Sequence, residues 1–134
     1  MLLFLFSCAR DKKEPKELYN WIPLSVTATA YNSLPEQTTT IDPNIAAWGD
    51  TLHADMKIIA VSRDLLSKGL TYNTMVRIDT FPDTFLVKDK MNKRWKNRID
   101  VYMGIDKDSA IKWGKRKLTI YYAKAKDSMV PIKN

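Results

Sequence analysis

At 134 residues, 45% hydrophobic and 28% charged, the chain has the length and composition of one globular domain and not those of a disordered segment. One cysteine rules out an intrachain disulfide, and one histidine, His53, rules out a His-based metal cluster, so neither a metal nor a cofactor is expected. The net charge of +7 is uneven: between Lys88 and Lys126, thirteen Lys or Arg face four aspartates, Asp89, Asp100, Asp106 and Asp108. Such a basic face is either a solvated surface or an attractor of nucleic acid, anionic lipid or an acidic polymer such as a cell-wall glycan.

In chain order, Met1 to Phe6 is wholly apolar, Ser7 and Cys8 follow, and a polar stretch, ARDKKEPKE, comes next. This order resembles the lipobox of a bacterial lipoprotein signal, in which the cysteine is lipidated. The implied organisation is a signal-like segment over 1–8, a flexible polar tether over 9–20 and a domain over 21–134. A lipid on Cys8 would anchor the protein without spanning the bilayer, because the apolar run is far below the ~20 residues a span requires. The expected location is therefore the cell envelope, on the periplasmic side of the outer membrane in a Gram-negative cell. The alternative is an apolar tail with one free thiol.

From Trp21 onward the pattern is mainly β. SVTATAY (Ser25 to Tyr31) alternates and is rich in β-branched residues, which predicts a strand. The turn-rich stretch from Asn32 to Asn44 predicts a long loop, and Gly49 to Thr51 (GDT) is too short to carry meaning. KIIAV (Lys57 to Val61) predicts a buried strand. SRDLLSKGL predicts a short helix with Ser62 as N-cap and Gly69 as its stop. Thr74 to Asp79 and Thr84 to Asp89 read as strands joined at FPD, and Arg98 to Met103 as another. Asp106 to Gly114 predicts a capped short helix, and Lys117 to Ala123 a closing strand. About six short strands and two short helices point to an all-β fold, a small closed barrel.

The two acids in FLVKDKMNKRWKNRIDVYMG draw attention because carboxylates among apolar neighbours are costly unless hydrogen-bonded or neutralised. Alternation places Asp89 on the row of Phe85 and Val87, facing the core, where its pKa would rise unless donors satisfy it. It places Asp100 with Arg98 and Tyr102 on the opposite, polar side, which suits a groove. The pair fits acid catalysis on a glycoside, and it equally fits a strand-end cap with a surface ion pair.

VTATAY, IIAVSRDLL, VKDKMNKRWKNRIDVYMG and AIKWGKRKLTIYY, taken in order, resemble the 3D (three-aspartate) domain. That domain has a double-psi β-barrel related to the membrane-bound lytic transglycosylase A family. The resemblance covers roughly Val26 to Tyr122; its firmest part is the step from Asp89 to the N-R-I-D-V-Y motif. Ser62 stands where the family has its first aspartate, and Met91 and Asn92 stand where it has Gly-Gly. The resemblance implies a peptidoglycan lytic transglycosylase, with Asp100 as general acid and then base and Asp89 as its tuner. One acid serves both steps because an internal hydroxyl replaces water, unlike ordinary two-carboxylate hydrolysis. Tyr31 and Trp95 would stack on sugar rings, and Lys96 or Arg98 would hold peptide carboxylates; ordinary packing and a solvated rim are the alternatives. The expected partner is peptidoglycan, contacted by a monomer. The basic, Trp-bearing loop would also suit single-stranded nucleic acid, which an exported protein would rarely meet. Two functions stand open at this point: a glycan-cleaving enzyme, or a non-catalytic barrel of the same fold that binds glycan or an envelope partner.

Overall fold

The computed structural model describes residues 18–32, 45–79, 81–104 and 106–126. Cys8, most of the expected tether and nearly all of the expected loop up to Asn44 lie outside these residues. The elements are β1 (Tyr19–Tyr31), β2 (Ile58–Val61), α1 (Arg63–Leu66), β3 (Met75–Ile78), β4 (Thr84–Lys90), β5 (Arg98–Tyr102), α2 (Lys107–Trp113) and β6 (Arg116–Ala125). The six strands close in the order β1-β5-β2-β4-β3-β6. Two parallel pairs, β1 with β5 and β2 with β4, interrupt an otherwise antiparallel wall. Each half of the chain reads strand, strand, helix, strand, and exchanging β1–β3 with β4–β6 reproduces the same strand order in reverse. This internal twofold is the expected double-psi arrangement.

β1 begins six residues earlier than the alternation of SVTATAY predicts, and its first two residues were expected in the tether. It tolerates Pro23 because β5 pairs with it only from Thr27 onward, while β6 pairs along Tyr19 to Ala28. The missing N–H of Pro23 therefore falls on an unpaired edge, where a strand accepts proline.

Inward-facing side chains fill the barrel. Val26, Ala28, Ile59, Val61, Val76, Ile78, Phe85, Val87, Ile99, Val101 and Ile120 are buried in one cluster, which Leu65 of α1 and Trp113 of α2 join. Burying one such aliphatic side chain contributes roughly 1.5–3 kcal/mol. A smaller cluster forms on the outer face, where Ala46 and Leu52 pack on Ile58 and Tyr102, with Tyr31 and Met56 against them. Gly104 permits this: its φ is +61°, and a Cβ there would meet the Ala54 carbonyl oxygen at 2.7 Å. The segment from Ile45 to Met56 is thereby held against the outside of the wall.

Ser62 occupies the expected N-cap position, but its side chain makes no capping bond. Fully buried, its hydroxyl accepts from Arg98 N at 2.9 Å while its own N–H donates to the Arg98 carbonyl at 2.8 Å. Two residues on, Asp64 accepts from Asn97 N at 2.9 Å. Asn97, at φ 47°, donates its side-chain amide to the Ser25 carbonyl at 3.0 Å. Burial pushes the Asp64 carboxyl up, but hydrogen bonds from Ser62 and Asn97 outweigh it and hold the value below normal. Ser62 and Asp64 together thus clamp the crossing chain at the start of β5. Ser62→Ala should leave the Arg98 amide without its acceptor and lower stability by about 1–3 kcal/mol in urea unfolding, with little change in slope.

Candidate functional site

Strand register brings the acids to one side of the wall. Thr29 of β1 pairs with Asp100 of β5, Asp100 with Ala60 of β2, and Ala60 with Asp89 of β4. Paired residues share a face, and Ile59, Val61, Ile99 and Val101 point inward, so this row points outward. Alternation placed Asp89 on the inward row of Phe85 and Val87, and the structure corrects this. Ile59 pairs with Val87, but Ala60 pairs with Asp89, which leaves Lys88 as an extra residue in β4. The bulge turns the next side chain to the other face. Ala60, lying between the acids, has only a methyl group to fill the space. The two Cα atoms are two strand spacings apart, roughly 10 Å.

The acids have different surroundings. Asp89 Oδ1 accepts from Ala47 N at 2.8 Å and from Lys90 N at 2.9 Å, and Oδ2 accepts from the Tyr31 hydroxyl at 3.3 Å. Both of its oxygens are engaged, and one bond ties down the turn that begins at Ile45. Among the described residues, Thr29 Oγ1 donates to Asp100 Oδ1 at 3.0 Å. Burial raises the Asp100 carboxyl to about 6; the nearby Asp89 charge adds to this, while the Thr29 hydrogen bond and the Arg98 charge oppose it. Asp100 therefore exchanges its proton in the range just below neutral pH, where a general acid can also act as a base. Burial and the two carboxylates push the Tyr31 hydroxyl far above its ordinary range, so it remains a donor.

The other expected site residues are dispersed. Tyr31 packs its ring against Tyr102, with centroids 5.3 Å apart, and so positions Asp89 more than it offers a stacking face. The Arg98 and Arg94 guanidiniums lie over the Trp95 ring at 3.9 and 4.7 Å, and a sugar would have to compete with them. That stacking holds Arg98 beside Trp95, and its charge lowers Asp100 by less than burial raises it. Lys96 is exposed, and its charge acts on Asp64. Thr29 was overlooked, although it shares the parity of Tyr31 within SVTATAY and so its face. Among the described residues, no group of three or more His, Cys, Asp or Glu is placed to hold a metal ion.

No protein-family model and no curated protein sequence matches the chain. Solved structures of an expansin from Clavibacter michiganensis are similar to it at 18% identity. One is a point mutant in complex with cellohexaose, with a TM-score of 0.46. Another is the apo protein, with a TM-score of 0.47. In each case the alignment covers 82% of this chain and 54% of the other, so the chain spans about half the length of these neighbours.

Two measurements probe the division between the acids. A carboxyl whose pKa is raised on folding binds its proton more tightly in the folded state, so its ionisation opposes folding. Stability should fall as pH rises from 3.8 towards 6, by up to about 3 kcal/mol, and level off above. Asp100→Asn should flatten that slope in unfolding curves collected across this range. Asp89→Ala should instead speed amide exchange at Ala47 and lower stability by about 2 kcal/mol, at neutral pH as well.

Proposed function

We propose that this chain binds cell-wall glycan across the outer face of β1, β5, β2 and β4, with Asp100 as the central polar contact. The observation that carries the proposal is the partly exposed Asp100 carboxyl, fixed by Thr29 and raised to about 6. A group that can donate or accept just below neutral pH matches hydroxyl-rich ligands. The basic connection from Lys90 to Arg98 supports an acidic polymer in preference to a neutral one. The resemblance to the 3D domain supports peptidoglycan as that polymer. Attachment at the cell envelope through Cys8 belongs to the same proposal and rests on the order of residues from Met1 to Cys8.

A second reading, cleavage by a lytic transglycosylase mechanism, is favoured by one feature: Asp89 is engaged at both oxygens, which leaves Asp100 as the working acid. Protonated Asp100 would give its proton to the glycosidic oxygen as the bond from muramic C1 to that oxygen breaks. The muramic C6 hydroxyl would then bond to C1 and return its proton to the Asp100 carboxylate, closing a 1,6-anhydro ring. No external base or water is consumed.

Incubating the full chain with purified sacculi, followed by sedimentation and mass spectrometry of the supernatant, tests both readings. Glycan binding predicts co-sedimentation that weakens as salt rises and drops about tenfold on Asp100→Ala. Cleavage adds anhydro-muropeptides that disappear with Asp100→Asn. Co-sedimentation without products would retain the binding reading and exclude the enzymatic one. A chain left entirely in the supernatant at low salt would overturn both.

A further inference from the structure

Trp48 stands at the tip of a tight turn that the site itself holds in place. Ile45 bridges Thr51, Ala46 N donates to the Asp50 carbonyl at 2.8 Å, and Gly49 N donates to the Ala46 carbonyl at 2.8 Å. The Asp89 carboxylate fastens the turn to β4 through Ala47 N. Despite this fixed backbone, Trp48 is 36% exposed, whereas the other three tryptophans are partly or fully buried. Next to it stands Tyr72, 39% exposed, from the connection between α1 and β3, with ring centroids 5.3 Å apart at 49°. Asn73, at φ 66°, anchors that connection by donating its N–H to the Val87 carbonyl at 2.8 Å. Two separate segments are thus pinned so that a pair of large rings stays in solvent.

The bulge in β4 supplies the cations. Lys88 Nζ lies 4.7 Å from the Tyr72 ring centroid and Lys90 Nζ 4.9 Å from that of Trp48. Lys88 also pairs with Asp50 at 3.8 Å and donates to the Tyr72 hydroxyl at 3.4 Å, which holds its ammonium beside the ring and means that an acidic ligand would share it with Asp50. Beyond Tyr72 an open cleft of about 400 Å³ continues along Asn73, Met75 and Leu86 to Tyr19 and Ala123. The rings therefore lie between the acid row and an open trough, with Asp89 adjoining Lys88 and Lys90 in one strand.

We infer that Trp48 and Tyr72, flanked by Lys88 and Lys90, form a stacking subsite for a carboxylate-bearing glycan that extends away from Asp100. The inference deepens the glycan-binding proposal and rests on it. Aromatic faces suit the apolar faces of pyranose rings. A stacking sugar would displace the lysine ammoniums, which sit farther off and on more flexible stems than the Arg98 guanidinium on Trp95. The displaced ammoniums suit an acidic substituent on the same sugar. Two tilted rings at the mouth of an open cleft fit a polymer lying along a surface better than an enclosed small molecule.

Titration calorimetry of the full chain tests this, with a muramic-acid-containing tetrasaccharide as the acidic probe and a neutral N-acetylglucosamine tetramer as the control. Trp48→Ala and Tyr72→Ala should each weaken the acidic probe at least fivefold, and Trp48→Phe should retain most of the affinity. A Lys88→Gln, Lys90→Gln double variant should abolish the preference for the acidic probe while still binding the neutral one. The Trp48 indole N–H resonance should shift on addition of the probe to the parent chain, a readout independent of how the variants fold. If the parent chain binds and neither Trp48→Ala nor that resonance responds, the subsite is disproved and the glycan proposal survives. If the parent chain binds neither probe, the glycan proposal itself fails, and the subsite with it.

Discussion

An extra residue in β4, Lys88, determines which side of the barrel wall carries Asp89. Without it, Asp89 would follow Phe85 and Val87 into an apolar interior, where a carboxylate has no place. With it, Asp89 turns outward and meets the Ala47 and Lys90 amides and the Tyr31 hydroxyl. The Ala47 bond holds the turn from Ile45 to Thr51, and Ala46 and Leu52, in and just beyond that turn, cover Ile58 and Tyr102. The anchoring of the turn that carries Trp48, and the negative charge beside Asp100, follow from that bulged position.

Within this arrangement the two carboxylates take opposite parts. Asp89 is a tie, with its charge spread over three donors and its position fixed. Asp100 is a lightly held acid that burial, reinforced by the charge of Asp89, raises towards neutrality. The buried Ser62 hydroxyl and the Asp64 carboxylate share the task of clamping the chain at Asn97 and Arg98. The clamp keeps Ile99 inward and Asp100 outward.

Much of the frame was legible in the sequence because it depends on local periodicity. Alternation in RIDVYM placed Asp100 on the outer face, and the Asp106 cap and the turn at FPD marked the second helix and a hairpin, which the structure reproduces. What escaped depends on pairing across strands. A bulge leaves no mark on alternation, so Asp89 read as inward. The early start of β1 was hidden by Pro23, whose unpaired edge is visible only once β5 and β6 are in place. Trp48 sits beside a stretch too short to carry a pattern, and its position depends on a carboxylate forty-one residues away in the chain. Thr29 was readable in principle, since it shares a face with Tyr31.

In the proposed division of labour Asp100 meets the ligand while Asp89 holds the turn at Ala47. A crystal structure of the full chain with a muramic-acid-containing tetrasaccharide tests it most directly. A sugar hydroxyl or glycosidic oxygen should lie within hydrogen-bond distance of Asp100, with Asp89 still bound to Ala47 N and Tyr31. A glycan contacting Asp89 with the Ile45 to Thr51 turn displaced, or lying on the β3 and β6 side of the barrel, would contradict it.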